Sequence, residues 1–556
     1  MKRSKRAIVI ILCFAMCLTL LAACGGSGVG DSPSATGPGP AAAPGAAILP
    51  PSSTGGEMTQ QAPRDPTAIY ADHIDVIQDN NNTGVLNPYI PAANTTPTNW
   101  VFTMIHDRLL ERNHSTGEFL PALAHKWETT DFQTFVFHLR DDVYFHNGEK
   151  FTADDVVFTW EQAKAAPPGT QAGPQWAPVE QATAINPTTV ELRLNRVFID
   201  FYFNMTMPSA CIVNKKAVEA DPENGYRIGT GPYIVDEFVP NDYTRFVRND
   251  NFWNERKNII TPTITLRFVP EMPARTIRMQ RGESQLSFGI SAEDIYLFEA
   301  DPDNFEVVPQ TFNTMQGFSF NLLDPICADL NFRLAVCHAL DNDEIALFAA
   351  SEWASGIHDG GLWGFETEFR NNDIPPLEYN PQIAKDYLAQ SIYNGEEIEI
   401  AAAIITNIRA AQAMQQQLAA IGINSRVVEY DSPGLTAYIA DPEGGAQIVF
   451  LSVSMNYASS SFRNLFYPNA AQNRMSYSNP LVTQMLDEAA GMFDKAQREA
   501  HYRKMQEIVA ADRPFYQVYW RINATVAARG LGGLGIPADN LQNDLRELYY
   551  IIGYTS

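Results

Sequence analysis

The chain has 556 residues, 45% of them hydrophobic and 19% charged, with 39 Lys plus Arg against 64 Asp plus Glu. That length is too great for one hydrophobic core and calls for two or three domains, and the composition is that of a globular protein rather than a disordered one. The net charge of −25 excludes the basic footprint that nucleic-acid binding requires and favours solubility.

The first residues carry Lys2, Arg3, Lys5 and Arg6, followed by an apolar run from Ala7 to Leu21. That run is too short and wrongly flanked for a stable membrane span and has the form of a secretory leader. It ends in Leu21-Ala22-Ala23-Cys24, which resembles the bacterial lipobox, where the chain is cut just before the cysteine and its thiol is lipidated. The resemblance implies a leader over residues 1–23 and lipid attachment at Cys24. Residues 24–67 are rich in Gly, Pro, Ala and Ser and cannot bury enough apolar surface to fold, so they read as a flexible tether with a reach of a few tens of Å. Beyond it the cysteines are Cys211, Cys327 and Cys337. One disulfide with one thiol left over is open, and so are buried thiols, because Cys337 falls on an apolar helical face with Phe332 and Val336. No Cys or His spacing suits a metal, and no cofactor is expected.

Folded protein is expected from about Ala68. A first strand over His73–Ile77 runs into an Asn cluster, Asn80-Asn81-Asn82, and a helix is expected from Trp100 to Leu110. Phe135, Phe137 and Leu139 alternate with Val136, His138 and Arg140, the period of a half-buried strand. Val143, Tyr144 and Phe145 resume the strand pattern before Asn147-Gly148, a tight-turn dipeptide. Thr152 then caps a helix whose positive end suits Asp154 and Asp155 and whose apolar face holds Val156, Val157 and Trp160. Thr188–Leu194 is another alternating strand. Gly229-Thr230-Gly231 lacks the ending of a phosphate loop and precedes a strand, so it reads as a turn. Further on, the pattern predicts a strand over Ile264–Val269, a helix over Arg275–Gly282, a strand at Phe318–Asn321 and helices capped by Asp329, Asp341 and Asn380. A strand over Ile398–Ile405, a helix over Ala411–Ala420 stopped by Gly422, and a strand from Ile423 form the order of a parallel α/β unit. Asn479-Pro480 opens a helical pair, and Phe515–Val526 is a final strand.

One stretch carries a resemblance. The order P-x-L-A-x-x-W, then T-x-x-F-x-L-R-x-x-V-x-F-H-x-G-x-x-F-T-A-x-D-V-x-F-T, spanning Pro121 to Thr159, resembles the signature of the peptide/nickel class of bacterial extracellular solute-binding proteins, family 5. Ile228-Gly229-Thr230-Gly231-Pro232-Tyr233 and Asp329-Leu330-Asn331-Phe332-Arg333-Leu334-Ala335 match further runs of that family. The resemblance implies an α/β, two-lobed periplasmic-binding-protein-like fold of the cluster C type, with an extra subdomain and a cleft between lobes joined by two crossing strands. On it, residues 68–98, 226–312 and 515–556 form lobe I, 99–225 the extra subdomain or lobe II, and 313–514 lobe III. It also implies a substrate-binding lipoprotein of an ABC importer. Such a protein captures a peptide or related solute, delivers it to permease subunits in the membrane, is held extracytoplasmically by its lipid, at the outer face of the plasma membrane or in the periplasm, and acts as a monomer.

No G-x-S-x-G, H-E-x-x-H or phosphate-loop lysine is present, and the chain reads as a binding protein, not an enzyme. In the family the loop after the first strand borders the ligand, which nominates Asn81 and Asn82, although an Asn cluster is equally turn chemistry. Trp353 and Trp363, in a Gly-rich stretch, are candidates for the cleft's apolar wall or for ordinary core. The segment Phe450–Phe462 stands where peptide-binding relatives carry an aspartate for the peptide's ammonium. Here Met455 or Asn456 occupies that place, beside Tyr457. A buried ammonium needs a paired anion, so the expected ligand either lacks a free ammonium or is held through its backbone, unless Asp431, Asp441 or another acid substitutes. A sensor for a signalling peptide, or an oligosaccharide-binding protein, is the alternative on the same scaffold.

Overall fold

The structure, a computed structural model, describes residues 71–531 apart from 79–85, 91–95, 113–117, 168–169, 171, 255–258, 260, 292, 361–368, 440–444, 455–457, 469 and 471. The early strands are β1 (His73–Gln78), β2 (Leu110–Arg112), β3 (Phe119–Pro121), β4 (Ala124–Thr129), β5 (Thr134–Leu139), β6 (Val179–Asn186) and β7 (Thr189–Leu194). Next come β8 (Tyr233–Val239), β9 (Tyr243–Arg248), β10 (Thr263–Phe268), β11 (Leu286–Ser287) and β12 (Phe305–Phe320). The last are β13 (Ala354–Gly356), β14 (Ile398–Ala402), β15 (Ser425–Glu429), β16 (Ile448–Ser454) and β17 (Phe515–Ala528).

β4, β5, β7 and β6 form a four-stranded antiparallel sheet in that order. On β5 the buried Phe135, Phe137 and Leu139 alternate with half-buried Thr134, Val136 and His138, because successive side chains leave a strand on opposite faces. The inner face packs on the helix Ala153–Ala165 and on Trp176 and Phe201. That helix starts at Thr152 as expected. The Asp155 carboxylate accepts from the Thr152 N–H at 2.9 Å and its hydroxyl at 3.2 Å, satisfying donors that the helix leaves free.

Two sequence expectations fail nearby, for one reason. Val143–Phe145 make no second strand; only Tyr144 bridges, to Lys150, around a turn in which Gly148 has φ 83°. The expected helix Trp100–Leu110 is Thr96–Ile105. Both segments are recruited by the Gly229–Gly231 turn. The Gly231 N–H donates to Ile105 O at 2.9 Å and the His146 N–H to Gly229 O at 2.8 Å, while His146 Nε2 meets Gly231 O at 3.0 Å. Asp107 beyond the helix end accepts from Thr230 Oγ1 at 3.0 Å and Trp253 Nε1 at 2.7 Å. Tertiary hydrogen bonds thus replace the helical ones. The turn itself is as read, followed by β8.

The other long sheet has eleven strands, ordered β15-β14-β16-β12-β17-β11-β1-β10-β9-β8, with β13 alongside β17. At one end β1 runs parallel to β10 and β11. Ser284 Oγ donates to Asp75 at 2.6 Å and Gln285 Oε1 accepts from the Asp75 N–H at 2.8 Å, tying the turn before β11 to β1. At the other end β14 is parallel to both β15 and β16, and the intervening helix ends at Gly422, whose φ of 98° suits only glycine readily. The strand–helix–strand reading is therefore right in order and wrong in bounds: β14 stops at Ala402 and the helix is Ile405–Ile421.

β12 and β17 belong to both ends. They pair antiparallel from Phe305↔Ala528 to Ser319↔Phe515, with irregularities between Thr311 and Met315 and between Gln316 and Gly317. Phe305, Val307, Ala524 and Val526 pack into one core with Ile77 and Phe298. Phe318, Phe320, Tyr516 and Val518 pack into another with Ile400 and Phe450. The irregularities fall where one core gives way to the next, and bulges there bend the pair. A side chain at Gly317 would sit 2.2 Å from Tyr516 O. The result is a two-lobed α/β fold whose lobes share two crossing strands. Cys211, Cys327 and Cys337 are buried free thiols, so the thiol alternative holds, and burial pushes Cys211 and Cys337 up to about 12.

Candidate binding cleft

In open α/β sheets a crevice forms beyond the carboxyl ends of parallel strands, where the chain turns into the next helix. Both lobes present such ends here, and they face one cleft. After β11 the chain supplies Phe288, Ile290 and Ser291, and after β14 it supplies Ile404, Ile405 and Thr406. Arg521 and Ile522 of β17 form part of its wall. The cleft encloses about 800 Å³, solvent included, within the range of small-molecule sites.

Its polar groups are sorted by their partners. Arg275 Nη1 donates to Val269 O at 3.0 Å and Pro270 O at 3.2 Å, so it braces the wall. Glu293 and Arg409 form an ion pair across the cleft, Arg409 lying in the first turns of the helix Ile405–Ile421. Behind that helix start runs a polar chain: Tyr519 OH donates to Asn407 Oδ1 at 3.1 Å, Asn407 Nδ2 to Ser452 Oγ at 3.4 Å, and Ser452 Oγ to buried Gln316 at 2.6 Å. It links β17, β16 and β12, and its Ser452 end is exposed.

Ile404 holds φ 67° and ψ 128°, a conformation usually left to glycine, with its side chain 46% exposed on the cleft. Such strain amounts to roughly 1–3 kcal/mol, against which a glycine adds up to about 1 kcal/mol of unfolded-chain freedom. Ile404→Gly is therefore expected to hold or raise the urea midpoint while losing apolar contact with a bound solute. A clear drop in midpoint would show that the side chain supports the wall rather than being held there under strain.

Among the sequence-predicted site residues, Trp353 is 8% exposed, packs with Ile77, Val269 and Met279, and also lines the cleft; it is both core and wall. Asn81, Asn82, Trp363, Met455, Asn456, Tyr457 and Cys24 lie outside the described residues. Arg409, Glu293, Ile404 and Arg521 were missed. The available signal was the carboxyl end of β14, obscured because the apolar run through Ile405 reads as continued strand. Among the described residues no cluster of His, Cys, Asp and Glu could hold a metal ion, and no helix is long and apolar enough to cross a membrane.

The family profile described as bacterial extracellular solute-binding proteins, family 5 Middle, matches residues 118–473. The chain is 24% identical over 457 residues to the nickel-binding periplasmic protein of Escherichia coli (strain K12), covering 76% of this chain and 84% of that one. With the dipeptide-binding protein of the same strain it shares 25% over 362 residues, 59% of this chain and 66% of the other. In three dimensions it is similar to the periplasmic binding protein DppA of Helicobacter pylori in complex with the peptide STSA, with TM-score 0.74 and 21% identity over 88% of this chain and 99% of that one. NikZ of Campylobacter jejuni in complex with Ni(L-His) gives TM-score 0.73 at 20% identity, over 87% and 99%. With the signature stretch, the two lobes on shared strands and the cleft agreeing, the chain belongs to the bacterial extracellular solute-binding proteins of family 5.

Proposed function

We propose that this chain is the lipid-anchored, extracytoplasmic capture subunit of an ABC importer, taking a peptide or related solute into the cleft between its lobes and handing it to a membrane permease. The observation that carries this reading is the cleft itself, walled by strand ends of two lobes that share β12 and β17 and spanned by the Glu293–Arg409 pair. Ligand contacts made from both walls favour the closed arrangement, a population shift that needs no bond chemistry. We assign residues 68–98, 226–312 and 515–556 to lobe I, 99–225 to lobe II and 313–514 to lobe III. Asn81 and Asn82 follow β1 in sequence, and Met455, Asn456 and Tyr457 follow β16. The rule of strand carboxyl ends assigns both groups to the ligand, with Trp353 and Trp363 as apolar wall. Cys24 carries the lipid.

One observation favours a particular ligand class. Among the described residues lining the cleft, Arg275, Arg409 and Arg521 stand against the single acid Glu293, already paired. An ammonium group finds no free anion on these walls, which favours N-blocked peptides or other solutes without a free amine. Thermal shift of the chain beginning after Asp65, against free-amine peptides, N-blocked peptides, oligosaccharides and Ni²⁺, tests this. A ligand at about 100 times its Kd adds roughly 2.7 kcal/mol. Stabilisation by blocked peptides and not by free-amine peptides is expected. Stabilisation by free-amine peptides would place an unassigned acid at the site. No response to any solute class would count against capture.

A further inference from the structure

We propose that the lobe built on β14–β16 carries a second binding site, for a small anion of halide or carboxylate chemistry, in the pocket between Arg513 and Gln517. The pocket is lined by Ile357, Asp359, Gly360, Arg513, Phe515 and Gln517, among others, and encloses about 330 Å³ with its opening. It shares no lining residue with the interlobe cleft, so the proposal stands apart from the reading of that cleft.

Two side chains in this pocket are more than nine-tenths buried and carry buried polar atoms, both amide atoms of Gln517 and Nε of Arg513, that meet no hydrogen-bonding group. Gln517 is 6% exposed, and neither its Nε2 nor its Oε1 meets a hydrogen-bonding group. Arg513 is 8% exposed and has no carboxylate in salt-bridge range among the described residues; its Nε is likewise unpartnered. A buried amide without a partner is costly, and a buried guanidinium without a counter-charge more so. Asp359 is the acid on the pocket wall, and its carboxylate is engaged at 2.6 Å by Arg370. The pocket therefore offers a cation and an amide donor to a ligand that brings the missing negative charge.

Backbone geometry points the same way. Arg513 is the C-cap of the helix Lys495–Asp512 and sits at φ 50°, ψ 49°, a left-handed position where glycine or asparagine is the usual residue. The arginine thus occupies a place that local geometry would give to another residue. Gln517 pairs with Gly317 on β12, beside the second irregularity of the crossing strands. Asn342 lies next to it, donating to Ile357 O at 2.7 Å and leaving its own Oδ1 unpartnered. An anion on Arg513 and Gln517 Nε2, with water on the two free amide oxygens, completes this polar set. It clamps the start of β17 to the end of the preceding helix. The space suits a monatomic ion or a carboxylate head, not a peptide.

The test is thermal stability at fixed ionic strength, with bromide, formate or acetate exchanged for bulky gluconate. Wild type, Arg513→Gln and Gln517→Met are compared, and crystals grown in bromide supply an anomalous map. Expected is a saturable rise in Tm with the small anions for wild type, lost in both variants, and a bromide peak beside Arg513 and Gln517. If Arg513→Gln does not fold, Gln517→Met alone decides, because it keeps the side-chain shape and removes only the amide. Equal responses in all three proteins, or Gln517→Met more stable than wild type in saturating formate, would overturn the site. A longer-chain carboxylate series separates the sources. A response fading beyond acetate marks a free ion, and one persisting with chain length marks the head of a larger solute; both uphold the anion chemistry.

Discussion

Gly229→Ala is expected to lower stability by about 4 kcal/mol. A Cβ at this position would lie 1.8 Å from Ile105 O and 2.6 Å from His106 Nδ1, distances that no rotamer change relieves because one neighbour is backbone. The turn must withdraw from the end of the helix Thr96–Ile105. Overpacking of that kind costs about 1–3 kcal/mol. Withdrawal also breaks the Gly231 N–H to Ile105 O bond and strains those made by His146, each worth about 1 kcal/mol when buried. Gly282→Ala is the control. Gly282 has φ 68° and open space around its Cα, so alanine there meets only the left-handed penalty of about 1–2 kcal/mol. The two variants are compared by urea midpoint at unchanged slope. If Gly229→Ala shifts the midpoint no more than Gly282→Ala, the close approach is not what holds this junction.

Stability should fall steeply as the medium is acidified from pH 6.5 towards 4, and two buried histidines at the same junction should account for much of the slope. Burial holds His106 down to about 3, with the neighbouring His146 lowering it further, and burial holds His146 down to about 4. Both are thus neutral in the folded protein at pH values where an unfolded histidine, near 6.5, takes a proton. A folded pKa below the unfolded one means the unfolded state binds more protons. The contribution is therefore complete above pH 6.5 and is lost as pH falls towards the folded values. The geometry agrees. His146 Nδ1 accepts from the Gly229 N–H at 3.3 Å while Nε2 faces Gly231 O at 3.0 Å, so a proton on Nδ1 would point at another donor. At pH 5 each histidine accounts for roughly 2 kcal/mol at about 1.4 kcal/mol per pH unit. Urea midpoints at pH 7.5 and 5 for wild type and for His106→Asn/His146→Gln measure it. The double variant should be weaker at pH 7.5 but fall less on acidification; an unchanged pH slope would assign the acid sensitivity to carboxylates elsewhere.

Much of the scaffold was written locally. Phe135, Phe137 and Leu139 announce β5 because a strand's two faces alternate. Thr152 with Asp155, Asp329, Asp341, Asn380 and Asn479-Pro480 mark helix starts because each supplies an acceptor or a fixed φ to the first turn. Gly422 marks a helix end because only glycine takes φ 98° freely. The family signature from Pro121 to Thr159 rests on many such positions at once, which is why family and fold are legible in the sequence.

The interlobe cleft was not. Glu293 and Arg409 are ordinary exposed charges in sequence and become a pair only when β11 and β14 end at the same crevice. The helix Thr96–Ile105 is cut short by a turn more than a hundred residues later, because backbone groups at its end bond Gly229–Gly231 and its neighbours instead of their own next turn. In sequence Arg513 precedes Pro514 and Gln517 is one polar position of the final strand, and only burial leaves Arg513 Nε and the Gln517 amide without partners. Most elements, several of their caps and the family could be read from sequence, since those depend on neighbours a few positions apart. Tertiary structure decided the cleft, the irregular crossing strands and the buried polar sets, because each depends on which distant segment supplies the missing hydrogen-bond partner or excludes the water.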